Sequence, residues 1–240
     1  MTKQRFAVFD IDGTLIRWQL YHAIVDRLAS SDKLTPDAAR IINNSKKGYD
    51  NREHPESFIQ YEMTLVEIFN TAIKGLKVGD FNKVIDEIFE EYKDRSYRYT
   101  RQLIKTLKND GYMILAISGS PHEIIEKLGA HYGFDDVRGD KRLSKDGIFT
   151  GERVATIGAK AEILQELIEI HDLTLEGSIA VGDSEGDIAM LSSVENPIAF
   201  NPSQKLFEQA KQSHWKIVIE RKNMSYVLNY IDGQYVLENQ

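Results

Sequence analysis

The chain contains no cysteine. That one absence removes disulfides, zinc–thiolate sites and cysteine nucleophiles together, and it suits a reducing compartment, so a cytoplasmic location is expected. A basic surplus is also missing. The 30 Lys and Arg stand against 37 Asp and Glu, for a formal net charge of −7, which leaves no footing for a nucleic-acid-binding surface. No apolar run is long enough to span a bilayer and no signal-like segment precedes the first apolar stretch, so no membrane partner is expected. There is no internal repeat and no low-complexity tract. What remains is an ordinary globular composition, 42% hydrophobic and 28% charged over 240 residues. It implies one large domain, or a domain carrying an insert.

The stretch Phe6–Leu15 stands out within that composition. A short apolar run, Phe6 to Phe9, reads as a buried strand and ends in Asp10 and Asp12, followed by Gly13-Thr14. Like charges this close destabilise one another unless a cation or a proton intervenes. A bound metal with carboxylate chemistry answers that requirement. A solvated Asp-Gly turn after an edge strand is the plainer alternative.

The remainder separates into two textures. From Arg17 to about Tyr97 the apolar residues recur at helical spacing and nothing resembles a strand. Thr35-Pro36-Asp37 opens one of these helices, and the polar stretch 43–55 reads as a loop or broken helix. After that, apolar strands alternate with helices. Strands are expected at Tyr112–Ile117, Phe134–Val137, Ser178–Val181 and Pro197–Phe200, with a last one at Lys216–Glu220. A hairpin is expected to turn at Asp146-Gly147. Continuous apolar strands between helices imply a parallel sheet covered on both faces, with the site at the carboxyl ends of the strands.

Three of those strand ends carry chemistry. The first gives Asp10 and Asp12, the second Ser118-Gly119 at a helix N-terminus, and a later one Asp183 and Asp187. Lys160 begins the helix before that later strand. Carboxylate oxygens suit Mg²⁺, which keeps waters and favours phosphate ligands. A Ser-Gly helix start cradles an anion, and a lysine adds a point charge for phosphate. Together they describe phosphoryl transfer, in which catalysis is mostly positioning and charge neutralisation. One aspartate can attack and the other can move the proton.

In these motifs the chain resembles the haloacid dehalogenase superfamily phosphatases. Asp10-Ile11-Asp12-Gly13-Thr14 is similar to the first family motif, Ser118 to the second, Lys160 to the third and Gly182-Asp183-Ser184-Glu185-Gly186-Asp187 to the fourth. The resemblance implies a doubly wound, Rossmann-like α/β core over 1–16 and 98–240. It also implies a helical cap over 17–97 after the first strand, similar to the C1 cap of subfamily IB, the phosphoserine phosphatase-like members. It implies Asp10 as nucleophile and Asp12 as general acid and base. Mg²⁺ would be held by Asp10, the Asp12 carbonyl and Asp183, with Asp187 in support. Ser118, the Gly119 amide and Lys160 would bind phosphate. The activity implied is hydrolysis of a small phosphorylated metabolite. A phosphotransferase or mutase and a catalytically silent phosphate-binding module are the competing readings.

The chain departs from phosphoserine phosphatases at three positions. Gln19 stands where they carry a glutamate that reads the substrate ammonium, Gly13 where they carry Ser, and Gly186 where they carry Asn. The hydrolytic residues are kept while the substrate stays open. Arg17, Trp18 and Gln19 are candidate substrate-pocket residues, whereas Tyr21, Tyr49 and Tyr61 read as cap packing. None of the six histidines is given a catalytic role.

Overall fold

A computed structural model of the chain describes residues 3–54 and 57–238, apart from the side chains at 58 and 59. Its strands are β1 (Gln4–Phe9), β2 (Met113–Pro121), β3 (Asp136–Lys145), β4 (Ile148–Val154), β5 (Leu173–Gly182), β6 (Asn196–Phe200), β7 (Lys216–Arg221), β8 (Met224–Ile231) and β9 (Gln234–Leu237). Its helices are α1 (Leu20–Ser30), α2 (Pro36–Asp50), α3 (Ser57–Ala72), α4 (Val78–Tyr92), α5 (Arg98–Asn109), α6 (His122–Tyr132), α7 (Lys160–Ile170), α8 (Ile188–Leu191) and α9 (Gln204–Gln212).

The strands form one sheet in the order β4-β3-β2-β1-β5-β6-β7-β8-β9. The six central strands, β3 to β7 in that order, run parallel, and β4, β8 and β9 add antiparallel edges. β1 lies where the strand order reverses, the place at which doubly wound sheets open a crevice for a ligand. Its side chains explain the two covering layers. Phe6, Ala7, Val8 and Phe9 are all fully buried, and alternation sends them to opposite faces. Ala7 and Phe9 join Ile104 of α5 and Ile124, Ile125 and Leu128 of α6. Phe6 and Val8 join Leu164 and Leu167 of α7, Met190 and Leu191 of α8, and Leu206 of α9.

The helices α1 to α4 lie between β1 and α5. The two chain passages are tied side by side, the Arg17 amide donating to the Arg95 carbonyl at 2.8 Å and the Tyr97 amide to the Leu15 carbonyl at 2.9 Å. At its far end the helical segment meets the β3–β4 hairpin. The Gly75 amide donates to the Phe149 carbonyl at 3.0 Å and the Val78 amide to the Gly147 carbonyl at 2.9 Å. The apolar interior of these helices, Ile24, Leu28, Phe69, Phe81 and Ile85 among others, is continuous with the α5–α6 side of the sheet. The segment is therefore held down over the carboxyl ends of β1, β2 and β3.

Three expectations are corrected. The stretch 43–55, expected as a loop or broken helix, continues α2 without a break to Asp50, and residue 55 lies outside the described residues. The Thr35 hydroxyl accepts the Ala38 amide at the start of α2, Lys46 pairs with Asp50 at 2.9 Å, and Tyr49 stacks on Tyr61 with centroids 5.5 Å apart. One glycine, Gly48, costs a helix only about 1 kcal/mol and does not end it. The strand at Lys216 is not the last, because β8 and β9 continue the sheet as a hairpin. Their turn is Asp232-Gly233, with φ of 50° and 86°, an Asp-Gly signal of the same kind as Asp146-Gly147. The strand expected at Phe134–Val137 starts at Asp136 and runs to Lys145, first parallel to β2 and then antiparallel to β4.

Candidate active site

The site grows from the last paired residue of β1. The Asp10 amide donates to the Val181 carbonyl at 2.9 Å, after which the chain turns so that the Ile11 carbonyl accepts the Leu15 and Ile16 amides, both at 2.9 Å. Gly13 in this turn has φ of +76°, and a Cβ there would lie 2.0 Å from Asp183 Oδ2. Glycine adopts this left-handed backbone without strain and lets the Asp183 carboxylate lie against the loop, whereas a larger residue would have to displace that carboxylate. The neighbouring Thr14 is fully buried, with its hydroxyl 3.5 Å from Asp183 Oδ1.

Lys160 joins this loop to the next. It is the first residue of α7, where a cation opposes the helix dipole, and it is almost fully buried. Two carboxylates compensate: its Nζ lies 2.7 Å from Asp10 Oδ1 and 2.6 Å from Asp187 Oδ1. The second Asp187 oxygen accepts from the Asp183 amide at 3.2 Å, the Ser184 amide at 3.0 Å and the Ser184 hydroxyl at 2.9 Å. Asp187 thus fixes the loop that carries Asp183. Gly182 makes room for this, since a Cβ there would meet Asp187 Cβ at 2.5 Å.

Asp12 has a different setting. It touches no cation, and its donors are neutral: the Leu20 amide at 2.6 Å, the Ser118 hydroxyl at 2.7 Å and the Ser120 hydroxyl at 3.0 Å. Ser118 and Ser120 are two apart in β2, so the strand's alternation directs both to one face. Thr156 secures that strand end by donating to the Ser118 carbonyl at 2.6 Å.

Charge follows placement. Burial raises Asp10 to about 7, against the opposing pull of Lys160. Burial also raises Asp12, with the Ser118, Leu20 and Ser120 hydrogen bonds partly resisting. Burial, then the nearby Asp10 and Asp187, hold Asp183 well above the ordinary carboxylate range. Burial works against the Lys160 cation, but Asp10 and Asp187 overcome it and raise its pKa. Four carboxylates around one lysine leave an excess of buried negative charge. Oxygens of Asp10, Asp183 and Asp187 lie within 4.8 Å of one another. With both Asp187 oxygens already engaged, Asp10 and Asp183 have oxygen to offer. A hard divalent cation fits this all-oxygen set.

Of the residues singled out in the sequence, Asp10, Asp12, Ser118, Lys160, Asp183 and Asp187 converge. Gly119 adjoins them in β2 and faces Ile157, whose side chain a Cβ at Gly119 would approach to 2.9 Å. Ser118 and Gly119 are not at a helix N-terminus as expected, because β2 continues to Pro121 and α6 starts at His122. The Asp12 carboxylate lies outside the acidic group that could hold a metal. Arg17 sits over the Tyr97 ring at 5.2 Å, and it lines a shallow depression with Trp18 and Asp94. Gln19 precedes α1 and makes no capping bond with its side chain. The sequence reading missed Thr14, Ser120 and Thr156. A period-two count through Ser118-Gly119-Ser120 was the signal for Ser120.

Comparison with known proteins places this geometry in context. The sequence pattern of the haloacid dehalogenase-like hydrolases matches residues 7–192. A phosphoserine phosphatase of Methanocaldococcus jannaschii is 28% identical over 236 residues, which cover 95% of this chain and 98% of that one. Among solved structures, a protein of unknown function from Bordetella pertussis Tohama I superposes with a TM-score of 0.73 at 20% identity, over 91% of this chain and 99% of that one. A phosphoserine phosphatase in apo form superposes with a TM-score of 0.63 at 25% identity, over 91% of this chain and 94% of that one. No described helix is long and apolar enough to cross a membrane.

Proposed function

As the chain belongs to the haloacid dehalogenase-like hydrolases, we propose that it is a Mg²⁺-dependent phosphatase that hydrolyses a small-metabolite phosphomonoester through an aspartyl-phosphate. The observation that carries this reading is the contrast between two aspartates two residues apart. Asp10 is paired with Lys160, while Asp12 is buried among neutral donors. Such a difference in environment separates an anionic nucleophile from an acid–base group.

In the first step a carboxylate oxygen of Asp10 attacks phosphorus, and the bond from phosphorus to the leaving oxygen breaks. Asp12 gives that oxygen its proton. In the second step Asp12 takes a proton from water, the water oxygen attacks phosphorus, and the Asp10–phosphorus bond breaks to release phosphate. Lys160 pulls the Asp10 pKa down against burial and presents charge to the phosphoryl group, whose oxygens the Gly119 amide binds together with the Ser118 hydroxyl once it turns from Asp12. Asp183 and Asp10 would hold Mg²⁺, whose charge offsets the repulsion between nucleophile and phosphate. Residues 17–97 form the cap over a core of 1–16 and 98–240. The cap excludes bulk water during the reaction, with Arg17, Trp18 and Gln19 at its hinge side.

The test is phosphate release from a panel of phosphomonoesters, with and without Mg²⁺. Turnover is expected to require the metal and to fall by at least about 10⁴-fold in Asp10→Asn. An Asp10→Asn variant that still turns over, or full activity in chelator, overturns the mechanism. Release of the alcohol with the phosphate moved to an added acceptor makes the protein a phosphotransferase instead.

A further inference from the structure

The sheet has two outer edges, β4 and β9, and they are built differently. The β4 edge is blunted. Lys77 forms a bridge with Ile148, and the Phe149 amide donates to the Leu76 carbonyl at 3.0 Å, so the α3–α4 turn covers the start of the strand. Its register with β3 shifts between Arg142 and Ser144, and Glu152 and Arg153 put charge further along. Covering, irregularity and charge are the devices that keep a sheet edge from pairing with another chain. The β9 edge has none of the three among the described residues. No strand or bridge lies on its outer side, its register with β8 is regular, and Gln234-Tyr235-Val236-Leu237 contains neither charge nor proline. Val236 is 38% exposed and Leu237 51%. The strand is nevertheless anchored, because the Tyr235 hydroxyl donates to the Ala210 and Trp215 carbonyls at 2.8 and 2.9 Å.

The hairpin determines which backbone groups face outward. Ile231 pairs with Gln234 across the Asp232-Gly233 turn, and the Glu238 amide donates to the Val227 carbonyl at 2.8 Å. Bonded positions alternate along an antiparallel ladder, so Gln234, Val236 and Glu238 turn their backbone toward β8, and Tyr235 and Leu237 turn theirs outward. Two copies related by a twofold axis must oppose these outward positions. Three registers do so, and charge and length select one. Tyr235 opposite itself would set Asp232 against Glu238, a directly opposed pair of like charges. Leu237 opposite itself would engage only the end of β9. Tyr235 opposite Leu237 places Val236 on the axis facing Val236 of the second copy. It also sets Gln234 against Glu238, an amide donor against a carboxylate, and opposes no like charges.

We propose that β9 pairs antiparallel with β9 of a second copy in this last register, joining two sheets across a twofold axis. Tyr235 and Leu237 of each copy exchange backbone hydrogen bonds with Leu237 and Tyr235 of the other, and the exposed Val236 and Leu237 side chains are covered. The inference does not rest on the hydrolysis reading above. So short an edge buries less than a standard interface, and the dimer is expected to be reversible, with a Kd of about 1–100 µM. Sedimentation equilibrium of the full chain between roughly 1 and 500 µM is expected to show the mass rising from one chain toward two. One-chain mass throughout that range overturns the proposal.

Substitutions at the axis test the register. Val236→Lys brings two like charges face to face and is expected to raise the Kd at least roughly tenfold, as is Val236→Glu. An equal mixture of the two variants is expected to recover association, because the axis then pairs opposite charges. Variants that associate as the unmodified protein does, or a mixture that stays monomeric, overturn the proposed pairing. The absence of cysteine allows a second test that needs no change of charge. Facing residues at a non-hydrogen-bonded position of an antiparallel pair have Cα atoms about 4.5 Å apart, within the span of a disulfide. Val236→Cys is therefore expected to form a disulfide-linked dimer under a mild thiol oxidant. Leu237→Cys sets its two thiols on either side of the axis and is expected to link at least roughly tenfold more slowly. Equal or faster linking of Leu237→Cys overturns the register.

Discussion

The strand ends and the space beneath the helical segment treat buried charge differently. At the strand ends the charged groups are already engaged. Lys160 bridges Asp10 and Asp187, the second Asp187 oxygen holds three donors, and Asp12 has an amide and two hydroxyls. Between the helical segment and the β3–β4 hairpin, Arg142 Nε and Nη2, the Tyr21 hydroxyl and Asp140 Oδ1 have no hydrogen-bond partner among the described residues, although Arg142 and Asp140 face each other at 4.0 Å. The first arrangement is preorganised and needs only a cation to balance its charge. The second leaves buried polar atoms without a hydrogen-bond partner among the described residues. The difference is one between buried charge that is satisfied and buried charge that is not. It also follows the chain, since Asp10, Lys160 and Asp187 come from the sheet and its helices, whereas Tyr21, Phe69 and Asn70 come from the helices between β1 and α5.

The comparison can be broken most sharply at Lys160. Lys160→Met leaves Asp10 and Asp187 buried without their shared cation. It is expected to destabilise the protein by about 3–5 kcal/mol, read as a lower urea midpoint at unchanged slope, and to abolish phosphate release. A mild effect on stability would mean that the strand ends are as loosely satisfied as the space around Arg142.

A smaller effect is expected in the helical segment. His22 on α1 is buried, packs edge-on against Tyr61 with centroids 5.1 Å apart, and has Glu62 3.9 Å away. Burial lowers its pKa from 6.5 to about 4. The unfolded chain therefore binds the proton first. The stability gained by keeping His22 neutral is present above pH 6.5 and is lost as pH falls toward 4, by at most about 3 kcal/mol. Urea unfolding across that range is expected to show the decline, with a shallower slope in His22→Gln. An unchanged slope would place the acid sensitivity elsewhere.

Much of this was legible in the sequence because the site residues lie at strand ends, and strand ends are where an apolar run stops. Asp10, Ser118 and Asp183 announce themselves that way, and Lys160 follows from its place before the strand leading to Asp183. Residues whose role depends on another part of the chain were less legible. Ser120 acts through Asp12, a partner 108 positions away, and Thr156 through the Ser118 carbonyl. Nothing in the sequence singles out Arg142, because its contacts with Phe69 and Asn70 are to a helix more than seventy residues earlier. The extension of α2 to Asp50 was hidden for the same reason. Tyr49 is held by Tyr61, and that contact exists only once α2 and α3 pack together.

The measurement that bears most directly on the division of labour is reduction of the reaction intermediate. Protein mixed with Mg²⁺ and a substrate it turns over, then quenched with borohydride, should carry homoserine in place of Asp10 in the peptide map, because an acyl phosphate is reduced and a free carboxylate is not. Asp12 should remain aspartate. Homoserine at position 12, or at neither position while turnover proceeds, would contradict Asp10 as the nucleophile.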